Sequence, residues 1–136
     1  MSRLLLILLL ILPGSAFAEL DISDAWIKNL PPTIPVRAGY MTIHNAQTDT
    51  LSIVAIRSDA FASVEIHQTI SADGMMRMEP VPSLTIEPDS SVQLAQGGLH
   101  LMMMNPIEPT KPGDTLMIVI ELDDGSTQSL KMTVKK

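Results

Sequence analysis

The chain has 136 residues, with 15 Asp and Glu against 9 Lys and Arg for a formal charge of −6, ten methionines and no cysteine. That length supports one domain with a sizeable core, and the acidic balance argues against nucleic acid or anionic lipid as a partner. The missing thiols exclude a CxxC redox role and a blue-copper centre, so any soft-metal site must be built from other donors.

At the N-terminus, Arg3 precedes the unbroken apolar run Leu4–Leu12, which Pro13 and Gly14 break before Ala16-Phe17-Ala18. This order predicts a secretory signal peptide over residues 1–18, cleaved after Ala18, and a single domain over residues 19–136. The run is shorter than the roughly 20 residues of a membrane span, so no stable membrane insertion is expected. No cysteine follows to take a lipid. The leader takes one positive charge and no acid, leaving the remainder more negative still. An exported protein meets an oxidising compartment, where a cysteine-free chain is at no disadvantage.

From there the sequence alternates short apolar-polar stretches with turn signals. Strands are predicted over Ala25–Asn29, Gly39–Asn45, Leu51–Ser58, Ser63–Thr69 and Met75–Glu79, then Leu84–Ile86, Val92–Leu94, Leu99–Asn105, Thr115–Leu122 and Thr127–Val134. Between them lie Ala72-Asp73-Gly74, Gln96-Gly97-Gly98, Pro112-Gly113-Asp114 and Asp123-Asp124-Gly125, whose residues favour tight turns. Ten prolines spread along the chain leave little room for a long helix. Tyr40-Met41-Thr42-Ile43-His44 alternates cleanly, whereas Met117–Leu122 is nearly all apolar, as in a central core strand. The expectation is an all-β antiparallel sandwich or Greek-key barrel.

The methionines are not spread evenly. Six fall in two clusters, Met75, Met76, Met78 and Met102, Met103, Met104, with His67 and His100 close by in sequence. Residues i and i+2 of a strand share a face. His100 and Met102 therefore project together, opposite Leu101 and Met103, and Gly97-Gly98 lets the chain turn tightly into that strand. His67 ends one strand, and Met76 and Met78 share a face on the strand that returns from it. Two hairpin-like segments can thus bring imidazole and thioether to one point. Those soft and intermediate neutral donors suit Cu(I) and serve zinc, magnesium or calcium poorly. Packing is the competing reading, because methionine commonly fills cores. Met75, Met103, Met117 and Met132 are assigned to core or rim, and His44, with no methionine near it, to structure. Glu65 and Arg77 flank the candidate ligands, where they could orient His67 or contact a partner; solvated surface is the assignment preferred for both. On residue type alone, His67, Met78, His100 and Met102 fit either reading.

Spacing adds what residue type does not. His67, ten residues, Met78, twenty-one residues, His100, one residue, Met102 resembles the H-x10-M-x21-H-x-M motif of the periplasmic CuA chaperone (PCuAC) family. Val64–His67, Gly74–Met78, Gly97–Met102, Pro112-Gly113-Asp114 and Ala25-Trp26 are similar to the family's sequence as well, over Asp21 to Val134. The resemblance implies a cupredoxin-like β-fold and one Cu(I) ion held at an exposed site by His67, Met78, His100 and Met102. It also implies a periplasmic copper carrier; a monomer is expected, and no enzyme, since no nucleophile-base-acid set is visible in the sequence. Copper would pass to an accepting protein, subunit II of cytochrome c oxidase or a Sco-type protein. Some relatives end in a His- and Met-rich tail; this sequence ends Lys131-Met132-Thr133-Val134-Lys135-Lys136, so no separate Cu(II) site is expected. Three other readings compete. They are copper buffering by the same four residues, a zinc hydrolase built on His44, His67 and His100, and a metal-free exported β-module.

Overall fold

Short strands joined by turns make up the computed structural model, which describes residues 19–136; the predicted leader lies outside them. Ten strands follow one another: β1 (Asp21–Lys28), β2 (Val36–Asn45), β3 (Leu51–Arg57), β4 (Phe61–Ala72), β5 (Met75–Pro80), β6 (Leu84–Ile86), β7 (Ser90–Leu94), β8 (Leu99–Pro106), β9 (Thr115–Leu122) and β10 (Thr127–Lys135). Each predicted strand is present, with ends displaced by a few residues. Among the described residues no helix is long and apolar enough to cross a membrane.

Seven strands close on themselves in the order β4, β8, β2, β1, β10, β9, β3 and back to β4. The closing contact is a single residue pair, Ile56 with Val64. The other three attach to this ring: β5 extends the sheet beyond β4, β6 lies on β3 and β7 on β2. One pairing departs from the antiparallel expectation. β1 and β10 run parallel, with Trp26 opposite Thr133 and Ile27 opposite Val134. A parallel pair joins segments far apart in sequence and leaves no turn to mark it.

Inward-facing positions of the ring fill its interior. Ile27, Met41, Ile43, Leu101, Met103, Ile118, Ile120, Met132 and Val134 are all at most 2% exposed, and each fully buried side chain of this size stabilises the fold by about 1.5–3 kcal/mol. The apolar run Met117–Leu122 does not face core on both sides, as its composition suggests. β9 is paired along both edges, by β10 and β3, but Met117 on its outer face is 47% exposed.

Two irregularities shape the outer wall. β1 carries a bulge between Ser23 and Trp26, with Asp24 at φ 53°. A one-residue shift exchanges the two faces of a strand. It turns Trp26 outward, its ring 5.0 Å from that of Tyr40 on β2. The second lies beside β2. Its first half pairs with β8, Gly39 opposite Leu101, and its second half with β7, Met41 opposite Leu94. Between the two, Ala95–Gly98 leaves the ladder as a small loop. The loop is tied by Ala95 N–H to Leu99 O at 2.8 Å and Gly98 N–H to Ala95 O at 3.1 Å, and Gly97 takes φ 83°. A Cβ at Gly39 would stand 3.0 Å from Leu101 Cβ, so glycine there permits the close approach of β2 and β8.

Candidate metal centre

Register brings the two histidines together. β4 and β8 are antiparallel, and His67 pairs directly with His100. Their rings lie 6.2 Å apart between centroids. Two residues along the same ladder, past the inward-facing pair Ile66 and Leu101, Glu65 pairs with Met102, so four side chains occupy two successive rungs of one face. Their inward neighbours Val64, Ile66, Leu101 and Met103 face the core, which places all four on the outer face of the wall. Met78 arrives from the other side of β4. The hairpin β4–β5 turns through Asp73 and Gly74, both at positive φ (53° and 74°), between the paired residues Ala72 and Met75. A two-residue turn of this kind fixes register, and here it sets Met78 opposite Thr69, on the face that carries His67.

Each imidazole is held by one nitrogen and free at the other. His100 Nδ1 lies 3.0 Å from Gly98 O. A carbonyl oxygen only accepts, so Nδ1 carries the proton and, in the neutral ring, Nε2 keeps its lone pair. His67 Nε2 lies 2.8 Å from Glu65 Oε2; the carboxylate likewise only accepts, and the lone pair falls to Nδ1. Both of those lone-pair atoms, His67 Nδ1 and His100 Nε2, are buried and have no hydrogen-bond partner. A buried polar atom without a partner costs about 1–3 kcal/mol, and one on each of two facing histidines gives two lone pairs that a Lewis acid could take up. That pattern, one nitrogen oriented by the protein and the other offered, is the usual state of a metal-binding histidine.

The thioethers complete the arrangement. Met78, His100 and Met102 line a shallow cleft of about 280 Å³, together with Thr69, Ala38 and Tyr40. His67 flanks it through its pairing with His100. Burial is uneven. His100 is 4% exposed and Met78 55%, because β8 is covered on both edges while β5 is the last strand of the sheet. Neither thioether carries a proton that binding must displace. Partial burial raises the Tyr40 phenol above its ordinary value, so the cleft wall stays uncharged there. A larger groove of about 390 Å³ runs along the β3–β4 seam, but aliphatic residues and prolines line most of it.

The remaining candidates separate from the site. Met103 and Met132 are wholly buried in the core, while Met75 and Met117 are exposed. His44 lies on β2 with Nδ1 2.8 Å from Ser91 Oγ and Nε2 3.5 Å from Asp89. Among the described residues no group of three or more His, Cys, Asp or Glu side chains gathers as a metal site, which leaves a three-histidine zinc centre without support. Arg77 pairs with Glu79 at 2.8 Å and matches its surface assignment. Glu65, half-exposed, contacts His67 directly, which favours the orienting role over the solvated-surface assignment preferred from sequence. The i, i+2 spacing of Glu65 and His67 on one strand was the available signal.

A closed β-barrel with two imidazoles and two thioethers gathered on its outer wall is a cupredoxin-like domain with a soft-donor site. Comparison with known proteins makes the assignment specific. Residues 20–134 match the family model described as "Putative lipoprotein LpqE-like". The RP573 protein of Rickettsia prowazekii is 30% identical over 126 residues, 88% of this chain and 68% of that one. The solution structure of CuI-DR1885 from Deinococcus radiodurans is 33% identical, covers 82% of this chain and 75% of its own, and superposes with a TM-score of 0.68. The copper-bound PCuAC domain from PmoF2, only 17% identical, covers 88% of this chain and 95% of its own with a TM-score of 0.73, and so shares the fold. The chain belongs to the LpqE-like family, the family of PCuAC domains.

Proposed function

We propose that the protein is an exported Cu(I) carrier that binds one ion through His67 Nδ1, His100 Nε2 and the sulfurs of Met78 and Met102, and hands it to a copper-accepting protein. The observation that supports this reading is the pair of buried, unpartnered imidazole nitrogens on facing strands, beside two thioethers in the family's spacing. The donors are neutral and soft, a set that selects Cu(I) over harder cations. A related protein has been solved in its CuI form and a domain of the same fold with copper bound, which favours copper as the cargo. The signal-peptide pattern of residues 1–18 and the lipoprotein description of the family favour export, and we assign the chain to the periplasm. Delivery towards the CuA centre of cytochrome c oxidase, directly or through a Sco-type protein, is the role we infer from the PCuAC resemblance. Buffering of periplasmic copper is the second reading, since it would use the same four residues.

The test is an anaerobic Cu(I) titration of residues 19–136 against a chromophoric chelator. One equivalent should bind to wild type and be lost in His100→Ala and Met102→Leu. Binding that ignores both substitutions would sink the proposal. Gene deletion separates the two roles: loss of oxidase activity at low copper marks delivery, and copper sensitivity with normal oxidase marks buffering.

A further inference from the structure

The two histidines are oriented by different means, and the difference singles out a residue outside the four-residue motif. His100 is fixed by a backbone carbonyl in the Ala95–Gly98 loop, a contact no side-chain substitution removes. His67 is fixed by the Glu65 carboxylate, 2.8 Å from Nε2. Glu65 stands two residues before His67 on β4, and its cross-strand partner is Met102. It therefore sits between one imidazole and one thioether of the site. Its own side chain is 50% exposed, against 14% for the ring it holds, so solvent reaches the carboxylate and not the imidazole's free nitrogen.

We propose that Glu65 is a positioning and charge-compensating residue for the copper site. By accepting from His67 Nε2–H it fixes the tautomer that leaves the Nδ1 lone pair available, and it supplies the negative charge that four neutral donors lack. The proposal rests on the reading of the site given above. A carboxylate behind a ligating imidazole does two separable things. It selects which nitrogen is offered, and through the hydrogen bond it raises the basicity of the other. Without Glu65, the His67 ring is free to take either tautomer and to turn its protonated nitrogen toward the site. The bound ion would also carry an uncompensated unit charge, since the ion pair on the adjoining strand β5, Arg77 with Glu79, is already neutral overall.

Two substitutions separate these effects. Glu65→Gln keeps an oxygen that can accept from Nε2–H and removes the charge; Glu65→Ala removes both. The half-exposed position makes either compatible with folding, which circular dichroism checks. Long-range proton–nitrogen correlation spectra of histidine-labelled apo-protein report the tautomer with no copper present. Wild type should show His67 protonated at Nε2 and His100 at Nδ1. In Glu65→Ala the His67 pattern should become mixed while that of His100 stays as it was. In the chelator competition, Glu65→Ala should weaken Cu(I) binding by about 10- to 100-fold, the usual cost of removing such a partner, and Glu65→Gln by less. His67 protonated at Nδ1 in wild type, or Glu65→Ala with unchanged tautomer and a Kd within twofold of wild type, would overturn the proposal while leaving the copper site intact. Wild type that fails to bind Cu(I) would overturn the functional reading and this proposal with it.

Discussion

The methionines of this protein live in two environments. Met41, Met103 and Met132 are at most 2% exposed and pack among Ile, Leu and Val. Met75, Met76 and Met78 are 75%, 70% and 55% exposed on an edge strand. Met103 and Met102 are neighbours in sequence yet point to opposite faces of one strand, one into the core and one into the cleft. A thioether is apolar enough to fill a barrel and soft enough to bind a metal. Which of the two it does is decided by strand parity and strand position, not by its chemistry.

That division can be broken at either end. The largest effect on stability is expected from Met103→Ala, which leaves a cavity in a closed interior and should lower unfolding free energy by about 2–5 kcal/mol in a urea titration. Met78→Leu should do the reverse: unfolding within about 0.5 kcal/mol of wild type, as for other surface positions, but Cu(I) affinity reduced by more than about tenfold, beyond the loss of an outer-shell partner at the low end. Met132→Leu, a nearly volume-conserving change in the core, should cost less than about 1.5 kcal/mol and leave Cu(I) affinity untouched. The smallest effect should come from Met76→Leu. It shares a face with Met78 but stands outside the motif, and both stability and affinity should match wild type; a marked loss of affinity would enlarge the ligand set. Mild peroxide sharpens the same contrast in one experiment. Mass spectrometry should find sulfoxide first at Met75, Met76 and Met78 and last at Met103 and Met132, since access governs oxidation. Bound Cu(I) should protect Met78 selectively.

Much of this arrangement was legible in the sequence because it depends on period two. Short apolar-rich stretches between turn signals located all ten strands, and the Asp73-Gly74 turn set the register that carries Met78 to the face of His67. The site's four residues could be placed on common faces for the same reason. Contacts between distant segments left no such trace. Nothing local announces that β1 pairs in parallel with β10, or that His100 would be 4% exposed while facing away from the core. The run Met117–Leu122 misled because Met117 on its outer face is apolar without being covered. For Glu65 the sequence left two roles open, orienting His67 or plain solvated surface. An acidic residue on a strand's outer face is ordinarily solvated, and only the ring placed beside it gives it a task.

The parallel pair of β1 and β10 sets a timetable. Trp26 finds its partner Thr133 only after nearly the whole domain is available, and contacts between sequence-distant segments are slow to form. Until β10 docks, β1 and β9 each present a bare edge to whatever else is in the compartment, an opening for unwanted strand pairing. Shortening the chain before Thr127 should therefore yield an aggregating product and not a smaller folded domain, even though His67, Met78, His100 and Met102 would all still be present. The final strand acts as the clasp of the closed ring.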